Sequence, residues 1–196
     1  MIQHKEAMIV LTGFFVSGKT NASELKERSE YIRNKLADSD FDTAVNDSNA
    51  GYLERVSQIL GDIKLPNANL TIAPQWQPPK INGVKLRFSP HLLLDRIGKK
   101  NQTQRGALMF RYAKNNPLNP EVAAYQSAAI FGILREMSDK DADEIDKPLC
   151  VTVDGFTGTV FPADGKAASR YLNMKAALDS IGERWPAVKE PLNAIL

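Results

Sequence analysis

The spacing of apolar residues along the chain predicts several amphipathic helices. In GYLERVSQILGDI the apolar positions Leu53, Val56, Leu60 and Ile63 follow one another at intervals of three, four and three residues, which places them on one side of a helix. NPEVAAYQSAAIFGILREM begins with an asparagine suited to an N-cap and a proline suited to the first helical position. Further helices are predicted for SELKERSEYIRNKLAD and for residues 167–184.

Other segments have the pattern of strands. VKLRFS and ALMFRYAK alternate apolar and basic residues with period two, as half-exposed antiparallel strands do. Short apolar runs predict strands at residues 7–12, in FDTAV and in NLTIA, and CVTVDGFTGTVF predicts two strands around a turn. Together these elements predict one domain, residues 1–196, of α/β class with a mixed sheet and an antiparallel meander in the middle. An α+β fold is the alternative.

Composition and charge exclude the extreme classes of protein. The chain has 25 basic and 23 acidic residues, and its net charge of +2 gives no strong overall field to attract nucleic acid or a membrane. The apolar stretch AMIVLTGFFV is too short to span a bilayer. Cys150, the single cysteine, lies in the apolar run LCVTV. We therefore expect a buried thiol and a cytoplasmic protein without membrane association.

The sharpest chemical signal is GFFVSGKT, residues 13–20, which has the pattern G-x-x-x-x-G-K-[ST]. In a phosphate-binding loop, Gly13 and Gly18 would let the backbone approach phosphate closely. Lys19 would reach the β- and γ-phosphates, and the Thr20 hydroxyl would coordinate magnesium. LCVTVD places Asp154 at the end of an apolar strand, where it would be a second ligand for the metal.

Residues 7–37, with residues 149–154, thus resemble the P-loop NTPase superfamily. The resemblance implies a nucleotide-binding protein that uses Mg²⁺ with ATP or GTP for phosphoryl transfer or hydrolysis. Lys19 and Asp154 would be catalytic, Gly13, Gly18, Lys19 and Thr20 would bind the nucleotide, and Thr20 and Asp154 would hold the metal. The predicted antiparallel meander conflicts with this resemblance, because P-loop domains alternate strands and helices around a largely parallel sheet.

A non-enzymatic binding module is the first alternative. The polar segment DRIGKKNQTQRG carries Arg96, Lys99, Lys100 and Arg105, which form the best local basic patch and would contact nucleic acid or another protein. Basic and aromatic residues also interleave in the predicted strands, as they do on surfaces that contact phosphates and stack bases. These residues are Arg87, Arg111, Tyr112 and Lys114.

A metal-dependent nuclease of the PD-(D/E)xK kind is the second alternative. Such a site needs an acid on one strand and an acid and a lysine on the next, so that magnesium and an activated water meet at a phosphodiester. VTVDGFTGTVFPADGK offers Asp154, Asp164 and Lys166, and either Glu121 or Glu136 would supply an upstream glutamate. The sequence alone leaves the three hypotheses open.

Overall fold

The computed structural model of the chain describes residues 4–77, 79–138 and 144–188. Three helices come first: α1 (Lys5–Val16), α2 (Ala22–Arg33) and α3 (Asp40–Ile59). Side-chain caps define the residues at which α2 and α3 begin. Asn21 accepts a hydrogen bond from the Ser23 amide before α2, and Ser39 accepts one from the Asp42 amide before α3.

The strand predictions for residues 7–12 and for FDTAV are wrong, because both segments are helical. Ser39 caps the amino terminus of α3, and FDTAV lies in the first turns of that helix. In α1, Ala7, Leu11 and Phe14 recur at helical spacing and are buried against the sheet and the other helices. A short apolar run fits a buried strand and a buried helix equally well, and the packing partners decide between them.

A five-stranded mixed sheet forms the centre of the fold. Its strands lie in the order β1 (Asn69–Ile72), β4 (Leu92–Ile97), β5 (Thr103–Arg111), β6 (Val151–Asp154) and β7 (Val160–Pro162). β1, β4 and β5 form an antiparallel meander, β6 lies parallel to β5, and β7 is antiparallel to β6. The prediction of a mixed sheet with an antiparallel meander is confirmed.

Between β1 and β4 the chain forms a small separate hairpin of β2 (Lys80–Ile81) and β3 (Val84–Lys85). Asn82 and Gly83 make its turn, with φ of 50° and 84°. Positive φ at both central positions is the geometry of a type I′ turn, for which Asn-Gly is the preferred sequence. The hairpin rests on the last helix, since the Asn82 side chain donates to the Lys175 carbonyl oxygen.

Helices cover both faces of the sheet. α1, α2 and α3 pack on the face that carries Leu92 and Leu94. α4 (Pro120–Met137), which connects β5 to β6, and α5 (Ala167–Arg184) pack on the face that carries Leu93. The predicted Asn119 cap of α4 and the predicted bounds of α5 are confirmed. None of the helices in the described residues is long and apolar enough to cross a membrane.

Cys150 lies just before β6 in the second core and is fully buried, as the sequence predicts. Burial raises the pKa of its thiol to about 12. Because the thiolate is the reactive form, this cysteine packs as a small apolar side chain and has no role in the sites described below.

Candidate functional site

GFFVSGKT lies at the carboxyl end of α1 and in the turn that follows. Gly13 is inside the helix, and Gly18 has a left-handed φ of 67°. The amides of Ser17, Gly18 and Lys19 all donate to carbonyl oxygens of the preceding helix turn. A phosphate-binding loop needs such amides free to point at the ligand. The backbone of this segment therefore does not fit a triphosphate.

The two side chains that would contact the nucleotide are at the surface. Lys19 Nζ lies 2.5 Å from Glu24 Oε2, in the first turn of α2. Thr20 is exposed just before the α2 cap. The strand that precedes every phosphate-binding loop is replaced here by α1. Nucleotide binding at Lys19 and Thr20 stays a prediction of the sequence, without support from the local geometry.

Substitution of Gly13 separates a helical role from a phosphate-binding one. A Cβ at Gly13 would meet no atom within 4 Å outside its own helix and chain neighbours. Because alanine is favoured over glycine in a helix by about 0.5–1 kcal/mol, we expect Gly13→Ala to stabilise the fold by about that amount in urea unfolding. Gly18→Ala should destabilise the fold by about 1 kcal/mol, because a left-handed φ is unfavourable for alanine. Loss of stability in Gly13→Ala, or a stabilisation by Mg-ATP that Gly13→Ala abolishes, would contradict the helical interpretation.

Asp154 ends β6 and is 2% exposed. Its Oδ2 accepts hydrogen bonds from the Leu118 amide at 3.0 Å and the Thr157 hydroxyl at 2.8 Å, and its Oδ1 accepts one from the Phe156 amide at 2.9 Å. These hydrogen bonds stabilise the β6–β7 turn and connect the loop before α4 to that turn. Both oxygens are held by protein donors, an arrangement typical of a structural aspartate. Its role as a magnesium ligand stays a prediction.

A small cavity lies beside Asp154, at the carboxyl ends of the parallel strands β5 and β6. It has a volume of about 220 Å³ and is lined in part by Arg111, Tyr112 and Asn119. Tyr112 stacks on the buried ring of Tyr52, with 4.0 Å between ring centroids. Small-molecule clefts usually measure about 300–1,000 Å³. We therefore assign no ligand to this cavity.

The residues of the nuclease hypothesis are divided between the two ends of the β6–β7 hairpin. β7 is antiparallel to β6, so the residues after β7 lie beside Cys150. Asp164 and Lys166 therefore lie at the opposite end of β6 from Asp154, about 13 Å away at the rise of a strand. Asp164 is also paired with Arg170. The structure does not bring the two acids and the lysine together.

The upstream glutamates do not complete a metal site. Glu121 is exposed in the first turn of α4, and Glu136 binds the Lys175 ammonium at 2.7 Å. Within the part of the chain that the structure describes, no three histidine, cysteine, aspartate or glutamate side chains are grouped as ligands of a metal ion.

The loop prediction for DRIGKKNQTQRG is wrong in its extent, because β4 continues through Arg96 and β5 begins at Thr103. Arg96 Nη2 lies 2.5 Å from Asp146 Oδ2, and Arg105 is paired with Asp95. These acids neutralise two of the four cations of the predicted patch. Of the other two, Lys99 is exposed in the β4–β5 connection, and the side chain of Lys100 lies outside the described part of the structure.

A cleft of about 850 Å³ lies at this end of the sheet. Asp95, Arg96 and Lys99 line it together with asparagine and glutamine side chains. Because the charges in its wall have both signs and Arg96 is already paired with Asp146, this cleft has no marked preference for an anion.

The charge of the chain is strongly segregated along the sequence, a feature that the overall net charge conceals. Residues 63–120 contain ten lysines and arginines and a single acid, Asp95. Their formal charge is +9, whereas the remainder of the chain carries −7. We call residues 63–120 the acid-poor segment. It contains the meander and the β2–β3 hairpin, and a count of charges in sequence windows would have found it.

Three cations of the acid-poor segment are exposed in the hairpin region, and we call them the cationic face: Lys80, Lys85 and Arg87. Lys80 and Lys85 are directly opposite each other in the β2–β3 pair. Lys85 and Arg87 alternate with Leu86, which is half-buried, and with buried Phe88. No acidic partner contacts the three cations within the described residues. Like charges opposite each other destabilise a strand pair, so a bound anion would stabilise this face.

A cleft of about 700 Å³ adjoins the cationic face, and we call it the Trp76 cleft. Its lining includes Lys85, Arg87, Trp76, Phe88 and Gln75. The Trp76 and Phe88 rings have centroids 5.4 Å apart and planes inclined at 30°. No pattern in the sequence places Trp76 beside these cations.

Comparison of the chain with protein-family models, curated protein sequences and solved structures finds no match.

Proposed function

We propose that the chain is a non-enzymatic nucleic-acid-binding domain whose contact surface is the cationic face and the adjoining Trp76 cleft. The observation that carries the proposal is the exposure of Lys80, Lys85 and Arg87 in the hairpin region, inside a segment of +9 charge that has a single acid. Phosphate groups are the ligands that such unpaired cations bind most generally.

The distribution of acids supports this choice of surface. Arg96 and Arg105, at the end of the sheet, have acidic partners, and Arg105 also lies 3.2 Å from Glu144. The cations of the hairpin region have no such partners in the described residues, so their charge is available to a ligand. Exposed cations held on a folded hairpin lose little additional backbone entropy when an anion binds.

The geometry of the sites required by the other two hypotheses also favours this proposal, because the groups that those sites need are engaged within the fold. The amides of GFFVSGKT are engaged within α1 and its turn, and Asp154 is engaged by three donors. The loop amides and the Asp154 carboxylate are thus already engaged by groups of the protein itself. Backbone-directed binding needs no catalytic group, because contacts to phosphates position the nucleic acid without cleaving it.

Fluorescence anisotropy with labelled oligonucleotides tests the proposal. We expect 20-residue oligonucleotides of different base composition to bind at low salt with affinities within about tenfold of one another, since phosphate contacts carry no sequence information. An unlabelled oligonucleotide should displace the labelled one, and Mg-ATP at equal phosphate concentration should compete far less well. Absence of binding to every oligonucleotide at low salt would overturn the proposal.

A further inference from the structure

Trp76 lies in the wall of a cleft that also contains two of the cations, Lys85 and Arg87. Its indole is half-buried and lines the Trp76 cleft, and Phe88 is only 5% exposed. The contact between the two rings supports the indole from the core side. A large aromatic side chain that is supported in this way and still faces a cleft is available for contact with a planar ligand.

The walls of the same cleft supply the other groups that a nucleotide unit needs. Lys85 and Arg87 provide positive charge, and Gln75, Gln77 and Ser89 provide hydrogen-bond donors and acceptors. A ring for the base, polar groups for its edge and cations for its phosphates therefore occur within one cleft. This is the combination that proteins use to bind unpaired nucleotides.

A duplex does not fit this combination. Bases in a duplex stack on one another and expose only their edges in the grooves, which are read by an inserted helix or a two-stranded ribbon. The segment around Trp76 is irregular, and β2 and β3 are two residues long. An unpaired base, by contrast, can leave its neighbours and stack on an indole.

We propose that the Trp76 cleft selects single-stranded nucleic acid by stacking an unpaired base on Trp76 while Lys85 and Arg87 contact the flanking phosphates. This inference rests on the proposed function and adds the class of its ligand. The selection acts on strandedness and is the same for DNA and RNA, because the contacts are made to a base face and to phosphates.

Tryptophan fluorescence provides the test, because the chain has only two tryptophans, Trp76 and Trp185. Trp185 is 71% exposed beyond α5, so Trp185→Phe leaves Trp76 as the single reporter with little effect on the fold. Addition of oligothymidylate or oligouridylate to this variant should quench the emission in a saturable way. The same length of self-complementary duplex should bind about tenfold or more weakly and leave the emission nearly unchanged.

Substitution of Trp76 measures the contribution of stacking. Trp76→Leu should weaken single-strand binding by about five- to a hundredfold and Trp76→Phe by less, with duplex binding unchanged in both. If Trp76→Leu does not fold, the quenching experiment in Trp185→Phe still tests whether a base stacks on Trp76. Equal binding of single strands and duplex with unchanged Trp76 emission would overturn the inference and leave the proposed function standing. Absence of binding to either form would overturn the proposed function itself.

Discussion

Replacing Asp154 with asparagine is expected to lower the free energy of unfolding by about 2–4 kcal/mol. The buried carboxylate accepts hydrogen bonds from two backbone amides and one hydroxyl. An asparagine has one carbonyl oxygen, so its amide nitrogen would face at least one of these donors. A buried donor without an acceptor costs about 1–3 kcal/mol, and the loss of hydrogen bonds to a charged group adds to it.

Urea unfolding followed by circular dichroism measures this effect, and Asp179→Asn is the matched control. Asp179 is exposed on α5, so the same chemical change there should alter stability by less than about 0.5 kcal/mol. The competing role for Asp154, as a magnesium ligand, makes the opposite prediction. Wild-type stability in Asp154→Asn, together with loss of a magnesium-dependent response, would show that the carboxylate serves a metal and not the turn.

Removal of the cationic face has the largest expected effect on binding. Lys80→Ala/Lys85→Ala/Arg87→Ala should weaken oligonucleotide binding by roughly ten- to a hundredfold at low salt, because three phosphate contacts are lost together. Its stability should not fall, since the substitution also removes the repulsion between Lys80 and Lys85. Anisotropy titrations give the affinities, and thermal melting checks the fold.

Lys5→Ala/Lys26→Ala/Arg28→Ala is the matched control for that variant. It removes the same charge from exposed positions on α1 and α2, outside the acid-poor segment. If overall charge governs binding, the two triple variants lose affinity equally. If the cationic face makes the contacts, the control variant retains an affinity within a few-fold of wild type, since long-range interactions between exposed charges are largely screened.

Local sequence signals predicted those elements whose ends are set by local chemistry. The Asn119 cap followed by Pro120 located the start of α4, and the DGFTG turn located β6 and β7. Residues 69–73 were predicted as a strand, and β1 occupies most of them. In these cases the cap or the turn constrains the backbone before any tertiary contact forms.

Elements that depend on packing partners were predicted less well. Residues 7–12 form part of α1 because Ala7 and Leu11 pack against α3 and the sheet, which the sequence alone does not reveal. β4 was taken for a loop from Asp95 onward, since the pairing of Asp95 with Arg105 across two strands is invisible to local patterns.

The candidate site likewise combines features that the sequence reveals with features that depend on the tertiary fold. The motif GFFVSGKT suggested a phosphate site from spacing alone, yet its amides are engaged in the fold. The segregation of charge was present in the sequence, but the overall value of +2 concealed it. The position of Trp76 beside Lys85 and Arg87 depends on how the chain between β1 and β4 folds back, so only the structure shows it.

The salt dependence of oligonucleotide affinity, measured for wild type and for both triple variants, tests most directly the claim that the cationic face contacts nucleic-acid phosphates. Each phosphate contact to a single strand contributes about 0.7 to the slope of log affinity against log salt concentration. If the claim is correct, Lys80→Ala/Lys85→Ala/Arg87→Ala has a slope shallower by about two, and the control variant keeps the wild-type slope. The same slope in all three proteins would contradict it.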